Sequence, residues 1–279
     1  MIRQYIAAPS HALSPWIAHY WHWHLPDSIT LPEILPGTGG ELIFNQGTAL
    51  LVETISLDNS IITDTQVIKV GDAFLFSPRR ARIRLSPLTT SSEIKFISTR
   101  LRCGTGFPLF NLSLEELRDK PVSLHEMALK YPFPALAEIP FKLQVSQLEL
   151  WLSRMLDQHL TTVSQLAQAA NHLYYGEALS IVRERLALSP RTMERHIRHF
   201  IGVDARYFCR TARFQHTLRH ILAGGDILDS ALAYGYTDQS HFIKTCRFYT
   251  GLTPSQLFTE QYKGLHYYIS PKSSARLKP

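Results

Sequence analysis

The segment from Ile227 to Gly251, which reads ILDSALAYGYTDQSHFIKTCRFYTG, narrows the possible folds of this chain more than any other part of it. An apolar helical stretch ends at Gly235-Tyr236, and Thr237 or Asp238 can then cap a second helix. Two short helices joined by a tight turn that contains glycine form a helix-turn-helix, which inserts its second helix into the major groove of DNA. The second helix alternates outward polar with inward apolar side chains. The outward ones are Gln239, Ser240, His241 and Lys244, and the inward ones are Phe242, Cys246 and Tyr249.

A second unit of the same kind is predicted about fifty residues upstream, and such repetition is more specific than a single match. Residues 177–188 (EALSIVRERLAL) form its first helix, Ser189 caps the second helix, and Pro190 takes the first helical position. The helical spacing buries Met193, Ile197 and Phe200 and turns Arg191, Thr192, Glu194, Arg195 and Arg198 outward.

One long helix, over roughly residues 204–222, is predicted to join the two units. It ends at Gly224 and Gly225, because glycine readily adopts the left-handed conformation that closes a helix. A single linking helix would fix the distance between the two outward-facing helices.

These residues resemble the DNA-binding domain of AraC/XylS-type bacterial transcription regulators. The resemblance is carried by LSPRTMERHIRHFIG in the first unit and ALAYGYTDQSHFIKTCRFYTGLTPSQL in the second, and it places that domain at residues 163–262. The chain departs from the family at Arg183, where a small residue is usual, at Ala187, where the turn usually has glycine, and at Cys246, where phenylalanine is usual. The second unit is therefore the closer match.

The resemblance also implies which side chains contact DNA. The base-reading residues are Arg191, Glu194 and Arg195 on the first reading helix, and Gln239, Ser240, His241 and Lys244 on the second. Thr192, Arg198, Arg210 and Arg247 are candidates for phosphate contacts on the grounds of their position and chemistry, although Arg210 and Arg247 could instead be simply solvated. Arginine can bond guanine and glutamate can accept from cytosine, although Glu194 could instead form an ion pair with Arg191 or Arg198 on the helix surface. The two helices are expected to enter two major-groove segments about 34 Å apart.

The charge distribution also points to the C-terminal half as the part that binds a polyanion. Residues 1–150 have 13 Lys and Arg against 14 Asp and Glu, a net charge of −1, whereas residues 151–279 have 16 against 9, a net charge of +7. A basic half of this kind attracts double-stranded DNA in a salt-dependent manner. The alternative is a basic face that is merely solvated.

The composition indicates a cytoplasmic protein with room for two domains. The 279 residues are 45% hydrophobic, which suffices for packed cores. No apolar run approaches the length of a membrane span, and no secretion leader is expected at the start. The three cysteines are far apart, so neither a disulfide framework nor a Cys-x-x-Cys metal site is expected.

The N-terminal part, residues 1–131, is predicted to be an antiparallel sheet domain with the form of a small cupin-like half-barrel. Between residues 41 and 101, short apolar runs such as ELIFN, AFLF and EIKFIS alternate with turn-forming breaks. The segments PSHALSPWIAHYWHWHLP, LPGTGGELIFNQG, VGDAFLFSPRRARIRL and FISTRLRCGTGFPLFNLSLEELRDKPVSL resemble the N-terminal domain of one AraC-type subgroup. That resemblance implies a domain that senses a ligand or mediates self-association.

Two sets of residues in this domain are candidates for a binding site. His22 and His24 alternate with tryptophans on one strand, as in the first part of a cupin metal site, but no Glu and His follow at the required spacing. Aromatic packing is therefore favoured over metal binding. Arg80, Arg82 and Arg84 alternate on one predicted strand face, which could bind an acidic effector or simply be solvated.

Residues 132–162 are predicted to be a proline-rich junction followed by a linker helix, and residues 263–279 a flexible basic tail. The linker helix carries an apolar stripe at Leu148, Leu152, Met155 and Leu156. The stripe either packs within the chain or forms a dimer, and packing is favoured because the stripe is short for a coiled coil.

Together these features predict an α+β protein in which an N-terminal sheet domain controls a C-terminal double helix-turn-helix. The expected function is sequence-specific regulation of transcription, with DNA and RNA polymerase as partners, a small-molecule effector or self-association as the control, and a monomer or homodimer as the active form. No catalysis, cofactor or membrane is required. The alternatives are a cupin-type metal enzyme fused to a DNA-binding module, and an architectural DNA binder without effector control.

Overall fold

A computed structural model describes residues 3–26, 31, 33–89, 93–156 and 160–258 of the chain. The predicted flexible tail, residues 263–279, and part of the predicted junction lie outside these residues. Among these residues, the elements of the N-terminal half follow in the order β1 (Arg3–Ala7), β2 (Ile17–Leu25), β3 (Glu41–Asn45), β4 (Leu50–Ile55), β5 (Ile62–Ile68), β6 (Ala73–Phe76), β7 (Arg82–Pro87), β8 (Ile94–Leu101), α1 (Gly106–Phe110) and β9 (Pro121–Ser123).

The strands form two antiparallel sheets that face each other. The larger sheet has the order β1-β2-β8-β3-β6-β9, and the smaller has the order β5-β4-β7. A buried apolar cluster fills the space between them, to which Trp21 and Trp23 of β2 contribute from one sheet and Val52 of β4 from the other. This arrangement is the predicted cupin-like domain, and it follows from the alternation of apolar and polar residues along the strands.

Helix α2 (Phe141–Leu156) covers the outer face of the larger sheet. Its Leu148, Trp151 and Leu152 are buried against residues of β2, β3 and β8, and the Trp151 indole donates to the Tyr131 carbonyl oxygen at 3.1 Å. Because both faces of the sheet are covered, every residue of β3 is buried. The apolar stripe of the predicted linker helix thus packs within the chain.

The C-terminal half is helical. Its helices are α3 (Leu160–Tyr174), α4 (Leu179–Arg185), α5 (Pro190–Ile201), α6 (Ala205–Leu222), α7 (Ile227–Ala233), α8 (Gln239–Thr250) and α9 (Pro254–Leu257). Helices α4 and α5 form the first helix-turn-helix unit, α7 and α8 form the second, and α6 joins them. One apolar core, to which Ile197, Phe214 and Phe242 contribute, runs through both units.

None of the helices within the described ranges is both long and apolar enough to cross a membrane. The predicted fold class, with an antiparallel cupin-like domain followed by a helical double unit, is confirmed.

Candidate nucleic-acid interface

The first reading helix, α5, begins at the predicted cap. The Ser189 hydroxyl accepts from the Thr192 backbone N–H at 3.2 Å, and Pro190 stands at the first helical position. Met193, Ile197 and Phe200 are buried in the C-terminal core, as the helical spacing predicted. Since one face of the helix is held in the core, the opposite face is presented to solvent.

Five of the residues predicted to contact DNA lie on α5. Arg191 and Arg195 are exposed, whereas Glu194 accepts from the Arg198 Nε at 3.0 Å across one helical turn. This hydrogen bond raises the pKa of the Arg198 guanidinium. In the protein without DNA, Glu194 therefore forms the ion pair that competes with base reading. The hydroxyl of Thr192 is hydrogen-bonded to that of Ser189 at the start of the helix.

The second reading helix, α8, is capped by Asp238, whose carboxylate accepts from the His241 backbone N–H at 2.8 Å. This bond lowers the pKa of the Asp238 carboxyl group. The side chains of Gln239, Ser240, Lys244 and Arg247 are exposed on the outer face of α8, whereas Phe242, Cys246 and Tyr249 are buried, as predicted.

His241 is more enclosed than the other candidate reading residues of α8. Its ring centroid lies 5.0 Å from that of Tyr236, edge to face, and its Nδ1 is hydrogen-bonded to the Thr237 hydroxyl at 3.2 Å. The imidazole therefore helps to hold the turn before α8.

Arg213 also holds this turn, a role that the sequence did not indicate. It lies on α6, its guanidinium is 4.7 Å from the ring centroid of Tyr236, and it donates to the Gly235 carbonyl oxygen at 3.2 Å. The linking helix thus fixes the turn of the second unit directly. The amino-acid sequence shows that α6 is rich in basic residues, but the local spacing of residues does not predict that Arg213 contacts Gly235.

Arg210, a candidate phosphate contact, lies elsewhere on α6. It lines a groove between the two halves of the molecule together with Arg80 and Arg118, and its guanidinium is 5.9 Å from the ring centroid of Tyr207. The structure thus places Arg210 beside the N-terminal domain.

Each of the three arginines of the candidate effector site pairs with a carboxylate of the chain. Arg80 precedes β7, pairs with Asp204 and lies over the Tyr207 ring. Arg82 is buried and pairs with Glu33 at 2.8 Å, and Arg84 pairs with the other oxygen of Glu33 at 2.8 Å. Each guanidinium already has a carboxylate partner within the chain, because the loop before β3 and the start of α6 lie next to β7.

His22 and His24 lie on the same face of β2 but have different surroundings. His22 is buried beside the rings of Tyr5 and Phe141, and burial lowers its pKa to about 4. His24 pairs with Glu93 at 2.7 Å. Within the described ranges, no group of three or more residues that could hold a metal ion comes together.

The N-terminal domain contacts the C-terminal ends of both reading helices. At α5, the Leu114 backbone N–H donates to the His199 carbonyl oxygen at 2.9 Å, and the Phe107 ring centroid is 4.3 Å from that of Phe200. At α8, Arg82 donates to the Thr250 carbonyl oxygen at 3.2 Å. Carbonyl groups in the last turn of a helix otherwise have no intrahelical partner, so these two hydrogen bonds satisfy one such group in each helix.

Two family models match the chain. Residues 5–123 match a domain of unknown function, DUF6597, and residues 182–260 match a helix-turn-helix domain. The second match begins within α4 and continues past α9, so it includes both reading helices. No curated protein matches the chain.

Some solved structures are similar to the chain in fold. ToxT from Vibrio cholerae is 9% identical with a TM-score of 0.46, and the alignment covers 92% of this chain and 96% of ToxT. A cupin protein from Bacteroides fragilis is 17% identical with a TM-score of 0.28, over 37% of this chain and 79% of that one. A cupin 2 domain-containing protein from Halorhodospira halophila is 10% identical with a TM-score of 0.27, over 36% and 63%. Similarity at this level says nothing about what the chain binds.

Three observations support the same assignment of the C-terminal part. They are the two helix-turn-helix units, the exposed basic faces of their second helices, and the family match at residues 182–260. The C-terminal part of the chain is thus a helix-turn-helix domain of the AraC/XylS type, joined to a DUF6597 domain, and the protein is a DNA-binding transcription regulator.

Proposed function

We propose that this regulator reads two adjacent major-groove segments with α5 and α8, and that its N-terminal domain controls the two helices through their C-terminal ends. The observation that carries this proposal is the position of the contacts. Leu114 holds the end of α5 and Arg82 holds the end of α8, while the outer faces near the starts of both helices are exposed.

Base reading is assigned to the exposed polar residues of each helix. Arg191 and Arg195 on α5 can donate two hydrogen bonds each to guanine, and Gln239 on α8 can form a bidentate pair with adenine. Glu194 can accept from cytosine once the ion pair with Arg198 opens. Ser240, His241 and Lys244 complete the reading face of α8.

Thr192, Arg198, Arg210 and Arg247 are the proposed phosphate contacts. Contacts of this kind fix the register of the protein on the duplex and add affinity without sequence preference. Arg210 reaches a phosphate only in an arrangement that frees it from the groove beside Arg80 and Arg118. Its contact would therefore depend on the position of the N-terminal domain.

Control by the N-terminal domain follows from the same contacts. A small-molecule effector or a second copy of the chain that binds two domain arrangements unequally would shift their populations. The spacing or freedom of α5 and α8 would change with that shift, and with it the affinity for DNA or the contact with RNA polymerase. The candidate effector residues Arg80, Arg82 and Arg84 contribute through the interface between the two halves rather than as a free anion site.

The proposal is tested by selecting bound fragments from genomic DNA of the source organism with the full-length protein at physiological salt. We expect one enriched motif with two half-elements about 10 base pairs apart, bound at least a thousandfold more tightly than random DNA. Affinity that is nearly indifferent to sequence would instead support an architectural DNA binder. Stoichiometric metal that is lost in His22→Ala and His24→Ala, with no enriched motif, would support a metal enzyme.

A further inference from the structure

Two clefts, with volumes of about 910 and 470 Å³, lie on the surface of the helical half. The described residues that line them all lie between positions 173 and 234, so the N-terminal domain contributes to neither. Leu179 at the start of α4 and Arg206 at the start of α6 line both clefts. The two clefts therefore form one continuous surface along α6.

Helix α6 turns opposite sides to this surface and to the N-terminal domain. Its Tyr207 and Gln215 contact residues of the N-terminal domain. Arg206, Cys209 and Arg213, which line the larger cleft, follow one another at three- and four-residue spacing. Since each residue turns a helix by about 100°, these three point roughly away from the side that contacts the N-terminal domain.

The surface reaches from the start of one reading helix to the start of the other. Pro190, the first residue of α5, lines the smaller cleft together with Arg206. Tyr234, at the end of α7, lines the larger cleft together with Arg213, which donates to the Gly235 carbonyl oxygen in the turn before α8. The first residues of a reading helix are those that contact base edges. DNA that binds both reading helices therefore passes over this surface of α6.

Among the described residues, the two clefts carry more positive than negative charge. Each of their carboxylates is paired with an arginine of the chain, in the pairs Glu177–Arg185, Glu194–Arg198 and Asp204–Arg80. The arginines that line the clefts are Arg183, Arg198, Arg206, Arg210 and Arg213. A surface of this kind attracts the polyanionic duplex.

Arg206 and Arg183 are the arginines of the clefts whose guanidinium groups are free. Within the described ranges, neither makes a hydrogen bond, an ion pair or a ring contact. Arg206 is exposed, whereas Arg183 is half-buried. Arg183 also stands where the AraC-type domain usually has a small residue, so this unusual charge lies in the same cleft as Arg206. The exposed guanidinium of Arg206 can bind DNA without first losing a bond within the protein.

In DNA that binds both reading helices, the minor groove faces α6. The two major-groove segments lie about one helical turn apart on one face of the duplex, so the minor groove faces the protein halfway between them. The minor groove of A·T-rich DNA is narrow, and its enhanced negative potential attracts arginine side chains. A G·C pair instead presents the amino group of guanine there.

We propose that Arg206 inserts its guanidinium into the minor groove between the two half-elements of the operator. The contact makes the protein prefer A·T pairs at positions that neither reading helix touches. Arg206 is thus a specificity-determining residue of the linking helix. This inference rests on the proposed function, because it requires both reading helices on one duplex.

The test compares three operators that differ only in the base pairs midway between the half-elements, which are A·T, G·C or inosine·cytosine. Inosine lacks the amino group of guanine in the minor groove but presents the same major-groove edge. We expect the wild-type protein to bind the A·T operator at least about tenfold more tightly than the G·C operator, and the inosine operator within about twofold of the A·T operator. Equal affinity for the three operators would overturn the proposal, and this comparison depends on no variant.

Two variants assign the preference to one side chain. Arg206→Gln should bind the three operators with affinities within about twofold of one another. Arg183→Gln is the matched control, because it removes the same charge from the same cleft. It should weaken binding to all three operators alike and keep the preference. A preference that persists in Arg206→Gln, or tight binding of A·T but not of inosine·cytosine, would overturn the assignment of Arg206 to the minor groove.

Failure of this inference differs from failure of the proposed function. A selected motif with two half-elements but no preference between them would leave the proposed function and overturn the minor-groove contact. A selection that yields no pair of half-elements would overturn both.

Discussion

Ala187 and Gly235 occupy the same position in the turns of the two helix-turn-helix units, and both have a left-handed backbone, with φ of 52° and 78°. In each turn, this residue donates to the carbonyl oxygen three residues earlier, and the following residue donates to the carbonyl oxygen five residues earlier. The two units therefore close in the same way, although only the second has the glycine that this conformation favours.

The first prediction is that Ala187→Gly stabilises the protein. The left-handed conformation crowds the Cβ of alanine, and glycine removes this crowding. Glycine also has greater freedom in the unfolded chain, which offsets part of the gain, so we expect the free energy of unfolding to rise by up to about 1 kcal/mol. Urea denaturation measures this free energy. The reverse change, Gly235→Ala, should lower the free energy of unfolding by about 1 kcal/mol, because a Cβ there meets nothing within 4 Å and conformation alone opposes it.

Ala233→Gly is the control for this pair. It lies on the exposed side of α7 with helical geometry, so glycine should destabilise there by about 1 kcal/mol. Equal effects of glycine at positions 187 and 233 would show that the backbone conformation of Ala187 has no cost.

The second prediction concerns base reading. Arg195→Ala and Gln239→Ala should each cost about 1 to 3 kcal/mol of binding free energy, and only at particular base pairs of the operator. Binding to a set of singly substituted operators measures this. Arg154→Ala, on α2 of the N-terminal half, is the control and should leave the preference at every base pair unchanged. If either reading variant weakens all operators alike, that residue contacts phosphate or supports the fold.

The third prediction concerns phosphate contacts. Arg247→Gln on α8 should reduce the slope of log affinity against log salt by about one unit, and it should leave the sequence preference as it is. Measuring the affinity for DNA at several salt concentrations checks this slope. Lys142→Gln, near the start of α2 in the N-terminal half, is the control for the loss of one positive charge. An unchanged slope would remove Arg247 from the phosphate contacts.

The fourth prediction concerns the contact between the N-terminal domain and the end of α8. Arg82→Gln removes the bond to the Thr250 carbonyl oxygen, so amide hydrogen exchange in the last turn of α8 should be about tenfold faster, as the loss of about 1 to 2 kcal/mol implies. Arg84→Gln is a matched control because Arg84 shares the Glu33 partner but makes no described bond to α8. Equal exchange in the two variants would show that Arg82 does not hold this helix.

Much of the helical half could be predicted from the sequence, because its signals are local. The cap at Ser189, the proline after it and the spacing of Met193, Ile197 and Phe200 each act within a few residues, and the structure has α5 where they indicated. The cupin-like domain was predicted in the same way from apolar runs separated by turn residues.

The contacts between the two halves could not be predicted, because they join residues that are far apart in the sequence. The sequence pattern placed Arg82 with two other cations on a strand face, but its side chain is buried against Glu33 and the end of α8, which lies 168 positions later in the chain. The surface that Arg206 shares with Arg183 and Arg213 also exists only once α4, α6 and α7 are neighbours.

The most direct test of the account is a hydroxyl-radical footprint of the full-length protein on its selected operator, repeated with Arg195→Ala and Gln239→Ala. We expect two protected segments on one face of the duplex, with centres about one helical turn, near 34 Å, apart. Arg195→Ala should weaken protection of one segment and Gln239→Ala that of the other. Protection of a single segment, or loss of the same segment in both variants, would contradict the claim that α5 and α8 read separate grooves.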